Sequence, residues 1–227
     1  MARSTDPASY ANVVAWVYTG IPFGVLRPDD SAVRESEDAL QIVERCGDDL
    51  ALAQARAALG VALVHRHTAA ERGRGHKLLA EVCEMALRQG LALNDVPFFE
   101  VYVARERARR GDRDGAIPLM RAAVDRFCEG QRLGGLGIPL TGVLVETLLD
   151  RGTDADVAEA EAAIERLAVA PADEGLVIRD IWLLRLRALM ARARGDAAAY
   201  ADFRDRYRDM ARTLGFEGHI AWAEAMP

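Results

Sequence analysis

Arg110-Gly111-Asp112, Arg151-Gly152-Thr153-Asp154 and Arg194-Gly195-Asp196 are three versions of one short signal, and Cys46-Gly47-Asp48 is a fourth. Each has the chemistry of a tight turn between two helices. Arginine suits the negative end of a helix, and glycine takes the left-handed conformation just past that end without a steric penalty. Asp or Thr then accepts the first free N–H groups of the next helix. The glycines at 111, 152 and 195 stand 41 and 43 residues apart. A spacing just over 40, with a helix on either side of each turn, predicts a chain of antiparallel helix pairs.

The remaining sequence is patterned to match. Apolar residues recur at intervals of three and four in Ile117, Met120, Ala123, Val124 and Phe127, in Val157, Ala160, Ile164 and Leu167, and in Tyr200, Phe203, Tyr207, Met210 and Ala211. Each stripe covers one face of a helix of three to four turns. Asp6-Pro7 reads as an N-cap with proline at the first helical position, opening a helix that runs to about Tyr18. A Gly/Pro-rich link over 20–30 follows. Further helices are expected over about 32–46, 48–66, 74–89, 97–110, 113–132, 138–151, 154–169, 176–194, 196–214 and 216–225. The expected fold is therefore all-α: a superhelical solenoid of antiparallel helix pairs, tetratricopeptide-like, with about 11 helices. Small residues at Ala116 and Ala123 fit close packing after Asp112, whereas Tyr200 and Tyr207 replace them after Asp196. A non-repeating helical bundle is the other arrangement this pattern allows. One helical-repeat domain is expected over 6–227, with 1–5 a tag or a disordered start.

Composition narrows the function. Over 227 residues, 51% are hydrophobic, enough for a substantial core, and the net charge of -6 argues against a general nucleic-acid or anionic-membrane binder. No apolar run approaches the ~20 residues of a membrane span, and nothing at the N-terminus resembles a signal peptide, so a cytoplasmic location is expected. Cys46, Cys83 and Cys128 are widely separated, which suits free, mostly buried thiols rather than disulfides or a metal knuckle.

Candidate chemistry is scarce. The single lysine, Lys77, lies between His76 and Leu78, so no P-loop exists, and a solvated lysine is expected. Ser4, Ser9, Ser31 and Ser36 have none of the glycine setting of a hydrolase elbow. His65 and His67 could share an ion only past a helix end, and no acidic or thiol residue joins them at ligand spacing. His219, beside Trp222, reads as a packing or capping residue. The glycines of 130–137 follow a helix rather than a strand, which suits an inter-helix loop and not a dinucleotide fingerprint. No catalytic, cofactor-binding or metal residue is therefore assigned. The one candidate surface is a partner groove formed by Phe98, Tyr102, Arg105 and Arg109 on one helix and Arg179, Trp182 and Arg185 on another. Arginine beside aromatic rings suits carboxylate-bearing peptides or a partner helix. A solvated charged face is the plainer alternative. The function expected is a non-catalytic, protein-binding scaffold. A helical small-molecule-binding protein, or an enzyme with an unrecognised pocket, is the alternative.

Several longer stretches carry a resemblance: Ser9-Tyr10-Ala11-Asn12-Val13-Val14-Ala15-Trp16, residues 101–112, residues 141–152, Ile178-Arg179-Asp180-Ile181-Trp182-Leu183-Leu184-Arg185, and residues 214–226. They resemble the C-terminal portion of large mycobacterial signalling proteins. There a class III adenylate/guanylate cyclase domain precedes a regulatory ATPase module and a tetratricopeptide-like tail. The resemblance runs from Asp6 onward and implies that this chain is the tail. It also implies that the cyclase's metal-binding aspartates and the ATPase's P-loop lie upstream, that no residue here matches them, and that the partners are the upstream modules, a second copy or another protein. Some relatives end in a helix-turn-helix module that this chain does not contain.

Overall fold

Helices make up 81% of the computed structural model, and no strand occurs among the residues it describes, which are 6–90, 93–129, 135–171 and 176–227. The eleven α-helices among them are α1 (Pro7–Tyr18), α2 (Asp30–Val43), α3 (Asp49–Val64), α4 (Ala69–Gln89), α5 (Val96–Arg109), α6 (Arg113–Glu129), α7 (Gly137–Arg151), α8 (Asp154–Val169), α9 (Val177–Ala193), α10 (Ala197–Leu214) and α11 (Glu217–Glu224). All-helical structure and helix number agree with the sequence reading. The expectations for residues 1–5 and for 130–134 of the glycine-rich stretch lie outside the described residues.

The turn chemistry is as expected. Gly47, Gly111, Gly152 and Gly195 all have positive φ, between 68° and 102°. Asp48 accepts from Ala51 N, Asp112 from Gly115 N and Asp196 from Ala199 N, while Thr153 closes a reciprocal capping box with Asp156. One boundary differs. The sequence reading placed the start of α4 near 74. In the structure Thr68 caps the helix by accepting from Glu71 N, and α4 starts at Ala69. Gly75 is retained for packing. A Cβ there would stand 2.8 Å from Gly60 O and from Leu63 Cβ, so α3 and α4 cross at two glycines.

The chain divides into two compact units, Met1–Glu106 and Arg107–Pro227. In the first, α1 packs on α2 and α3, α2 on α3, and α3 on α4. The core is continuous along α3, where every residue from Ala58 to Val64 is buried, while α2 buries the single stripe Ala32, Ser36, Ala39 and Val43. In the second unit, α7 packs on α6, α8 and α9, and α9 also packs on α8 and α10. Every residue of α7 from Gly137 to Val145 is buried, while α8 buries the stripe Asp156, Ala160, Ala163, Ile164 and Leu167. Helices buried all round thus alternate with amphipathic ones, and over these stretches α3 and α7 turn no face to water.

Each unit contains the same arginine clamp. Arg66, just past α3, bonds Glu71 in the first turn of α4 at 2.8 Å and Asp30 at the start of α2 at 2.6 Å. Arg151, at the end of α7, bonds Asp156 in the first turn of α8 at 2.5 Å and Asp114 at the start of α6 at 2.7 Å. Thr68 and Thr153 cap the helices in between. Arginine, threonine and acid thus recur at the same relative positions, 85 residues apart. A second pair agrees with the charges exchanged. Arg74 of α4 bonds Glu37 of α2, and Glu159 of α8, 85 residues after Arg74, takes Arg121 of α6.

Asp156 is 1% exposed at its side chain, and the Arg151 guanidinium holds its carboxyl far below the usual carboxylate range. A depressed carboxylate contributes stability that is present above its unfolded pKa and lost as pH falls through the folded value. Arg151→Met should therefore cost roughly 3–5 kcal/mol at neutral pH, since it leaves an uncompensated buried carboxylate. The difference from wild type should narrow in acid, where the orphaned Asp156 can protonate; urea denaturation at several pH values measures both effects. At the glycine crossing, Gly75→Ala should lower stability by about 1–3 kcal/mol despite alanine's better helix propensity, because backbone atoms of α3 block the added methyl group. The urea midpoint reads that change.

Candidate functional site

The seven residues proposed as a groove separate into a set on each unit. On the first unit Phe98 and Tyr102 are 4% and 1% exposed, and their rings meet edge to face at 5.2 Å. Tyr102 also stacks on His65 at 5.0 Å. Arg105 is half-buried beside them. On the second unit Arg109 is exposed, and Arg179 donates to the Ala170 carbonyl at 3.0 Å. Trp182 is 2% exposed. Arg185 lies over the Trp182 and Trp222 rings, 5.7 and 5.1 Å from their centroids, and bonds Glu146 at 2.5 Å. The three aromatic residues are core, so their rings offer no surface to a partner.

Trp182 and Arg185 belong to a buried knot that fastens α11 to α7, α9 and α10. His219 of α11 is fully buried, with Nδ1 2.8 Å from the Tyr207 hydroxyl and its ring edge-on to Trp182 and Trp222. Burial raises the Tyr207 phenol well above its ordinary pKa. Trp182 lies so close to Gly142 that any side chain there would collide with the indole. The sequence reading of His219 as a packing residue agrees with this geometry.

The other reactive side chains are dispersed. The α3 helix does end before His65, but His65 Nδ1 lies 2.8 Å from the Val61 carbonyl oxygen, and His67 is exposed. No group of three His, Cys, Asp or Glu residues among the described residues is placed to hold a metal ion. Burial pushes the Cys83 thiol up to about 12, which keeps it protonated and unreactive at neutral pH. Cys46 is exposed, contrary to the expectation of mostly buried thiols, and the Cys128 side chain lies outside the described residues. A cleft of about 540 Å³ against α10 and α11 is lined by Asp205, Arg208, Asp209, Arg212 and Glu224, all of them charged. No helix among the described residues is long and apolar enough to cross a membrane.

The surface that stands out is the outer face of α1. Asp6 accepts from Ala8 N and Ser9 N, Pro7 occupies the first helical position, and the twelve residues to Tyr18 include no charged side chain. One face packs inward. Ala11 joins Val43, Ala51 and Ala55 in the core, and the Tyr18 hydroxyl donates to Glu35 at 2.8 Å. The opposite face carries Val13 and Val17, each 44% exposed, on either side of Trp16 at 72%. Leu50, at the start of α3, adds a fourth apolar residue at 44% beside a shallow cleft of about 380 Å³ bordered by Asn12, Val13, Asp48 and Gln54. A lone exposed hydrophobe is ordinary, but a tryptophan flanked by valines at helical spacing is the kind of patch that marks a contact surface. Sequence reasoning missed it because α1 is apolar on both faces, so periodicity could not separate the core side from the outer side.

No protein-family model matches this chain, and neither the curated proteins nor the solved structures contain a match to it.

Proposed function

We propose that this chain is a non-catalytic, helical-repeat interaction domain, the tetratricopeptide-like C-terminal region of a mycobacterial cyclase–ATPase signalling protein, acting in the cytoplasm on protein partners rather than on nucleic acid or membrane. The observation that carries the interaction reading is Trp16, 72% exposed on a helix without charge. Exposed indoles flanked by aliphatic residues are the common anchors of protein interfaces. The family assignment rests on the resemblance alone.

The arrangement of helix pairs is supported by two features. Within each unit a helix contacts its successor and also the helix after that, as in α1 on α3 and α7 on α9. The clamp's arginine, threonine and first-turn acid recur at a separation of 85 residues and its contact on the earlier helix, Asp30 and then Asp114, at 84, the same as the two glycine steps from 111 to 195. The competing reading, a helical small-molecule-binding protein, would want a pocket with an apolar lining and a few converging polar groups. The charged cleft against α10 and α11 has the opposite character.

Biolayer interferometry against the ATPase and cyclase modules tests the proposal. Saturable binding is expected to at least one module. Trp16→Glu should weaken it by about 2 kcal/mol or more, which is roughly thirty-fold in affinity, with an unchanged circular dichroism spectrum. Binding to neither module would overturn the cyclase–ATPase assignment. Binding that ignores Trp16 would remove the assigned surface.

A further inference from the structure

Of the four histidines, His219 alone is fully buried. Its ring stands edge-on to Trp182 of α9 and Tyr207 of α10, both at 5.6 Å, and to Trp222 of α11 itself at 5.0 Å. The Tyr207 hydroxyl lies 2.8 Å from His219 Nδ1 and 3.2 Å from the His219 carbonyl oxygen. Charged groups face this knot from each helix around it. Glu146 of α7 is bonded to Arg185 of α9 at 2.5 Å, and Arg185 lies over both indoles. On α10, Arg208 reaches the Ala223 and Met226 carbonyls and stands 3.8 Å from Asp205. Asp209, Arg212 and Glu224 border the charged cleft. Glu146 and Arg185 cancel. A neutral His219 therefore adds no charge to the knot, whereas a protonated one adds a second cation to the indoles that already hold Arg185. Burying such a charge is costly, while an imidazole in water takes a proton near neutrality.

The α11 helix depends on that knot. Its eight residues are too few for a helix that is stable alone, and Phe216 before it supplies no side-chain cap. It follows α10 through Gly215, whose φ of 66° makes a sharp joint. The rest of the unit is built by other contacts, α7 on α6, α8 and α9, and α9 on α8 and α10. We infer that α11 is an acid-released latch: protonation of His219 frees it from the knot and uncovers Trp182 and Arg185, while α6 to α10 stay folded. The released imidazole binds a proton more readily than the docked one. Docking is therefore fullest above about pH 6.5 and weakens about tenfold per pH unit below it, until the docked ring is itself protonated. The latch does not involve the outer face of α1 and stands apart from the reading of Trp16.

Tryptophan emission of the full chain from about pH 7.5 to about pH 5 tests this. Trp16 is already 72% exposed, so a shift reports Trp182, which is 2% exposed, and Trp222. Wild type is expected to move reversibly to longer wavelength in acid, while far-UV circular dichroism loses no more than the signal of an eight-residue helix. His219→Gln and His219→Phe are neutral replacements that leave the other histidines in place, and both should hold the neutral-pH spectrum throughout. In wild type the His219 ring-proton resonance, identified by its absence from either variant, should titrate at the pH where the emission moves. That resonance decides the matter even where the variants release α11 by themselves. A constant wild-type emission overturns the latch. So does an acid shift that both neutral variants retain, a His219 resonance that titrates apart from the emission, or a loss of helix across the whole unit.

Discussion

The architecture of each unit depends on one guanidinium held between two helix starts. An acid in the first turn of a helix is favoured by the dipole, but burying it is costly unless a cation comes with it. Arg151 and Arg66 answer that need from the end of the preceding helix, and their second contact reaches the start of a helix still earlier in the chain, at Asp114 and Asp30. A single side chain therefore sets the turn angle of a helix pair and its register against the neighbour. Arginine suits the task because its planar fork presents several donors in fixed directions and stays charged at any accessible pH. Lysine at either position could make one contact but could not span two carboxylates.

The charge-exchanged pair places an ion pair between helices in each unit without using the same residues. Arg74–Glu37 and Glu159–Arg121 join corresponding helices with opposite polarity. Coulomb attraction is indifferent to which partner carries which sign, so this contact constrains position without constraining residue identity. The core is tolerant in the same way. Gly75 at the crossing with α3 corresponds to Ala160 of α8, which is fully buried. What matters there is a small residue where two backbones approach.

Much of the fold was legible in the sequence, for identifiable reasons. The Gly-Asp and Gly-Thr turns depend on local chemistry, and α1, α7, α8, α9 and α10 fall within two residues of where their caps and stripes put them. The failures came where tertiary contacts override local preference. The start of α4 was expected near 74 and lies at Ala69, and the helix carries Gly75 where it crosses α3, a close approach that leaves no local mark. Cys46-Gly47-Asp48 has the same turn chemistry as the others, yet Gly47 lies 64 residues before Gly111 and falls out of step with the series. It joins α2 to α3, whereas the connection equivalent to Gly152 is His65-Arg66-His67, which has no glycine. Arginine followed by a Thr cap and an acid makes the same contacts at 66–71 and again at 151–156.

The site residues were the least legible part, and the reason is geometric. A helix covered on several sides, as α3 and α7 are, carries apolar residues all round and loses the one-sided stripe that tells inside from outside. Phe98, Tyr102 and Trp182 looked like an aromatic surface because each has arginines nearby in sequence, yet each is covered by a neighbouring helix. Trp16 has no charged neighbour within its helix, and it is left 72% exposed. Val13, Trp16 and Val17 are apolar residues at helical spacing, as the buried stripes of the other helices are. It follows that the apolar outer face of α1 has the composition of an interior surface and not of a solvated one.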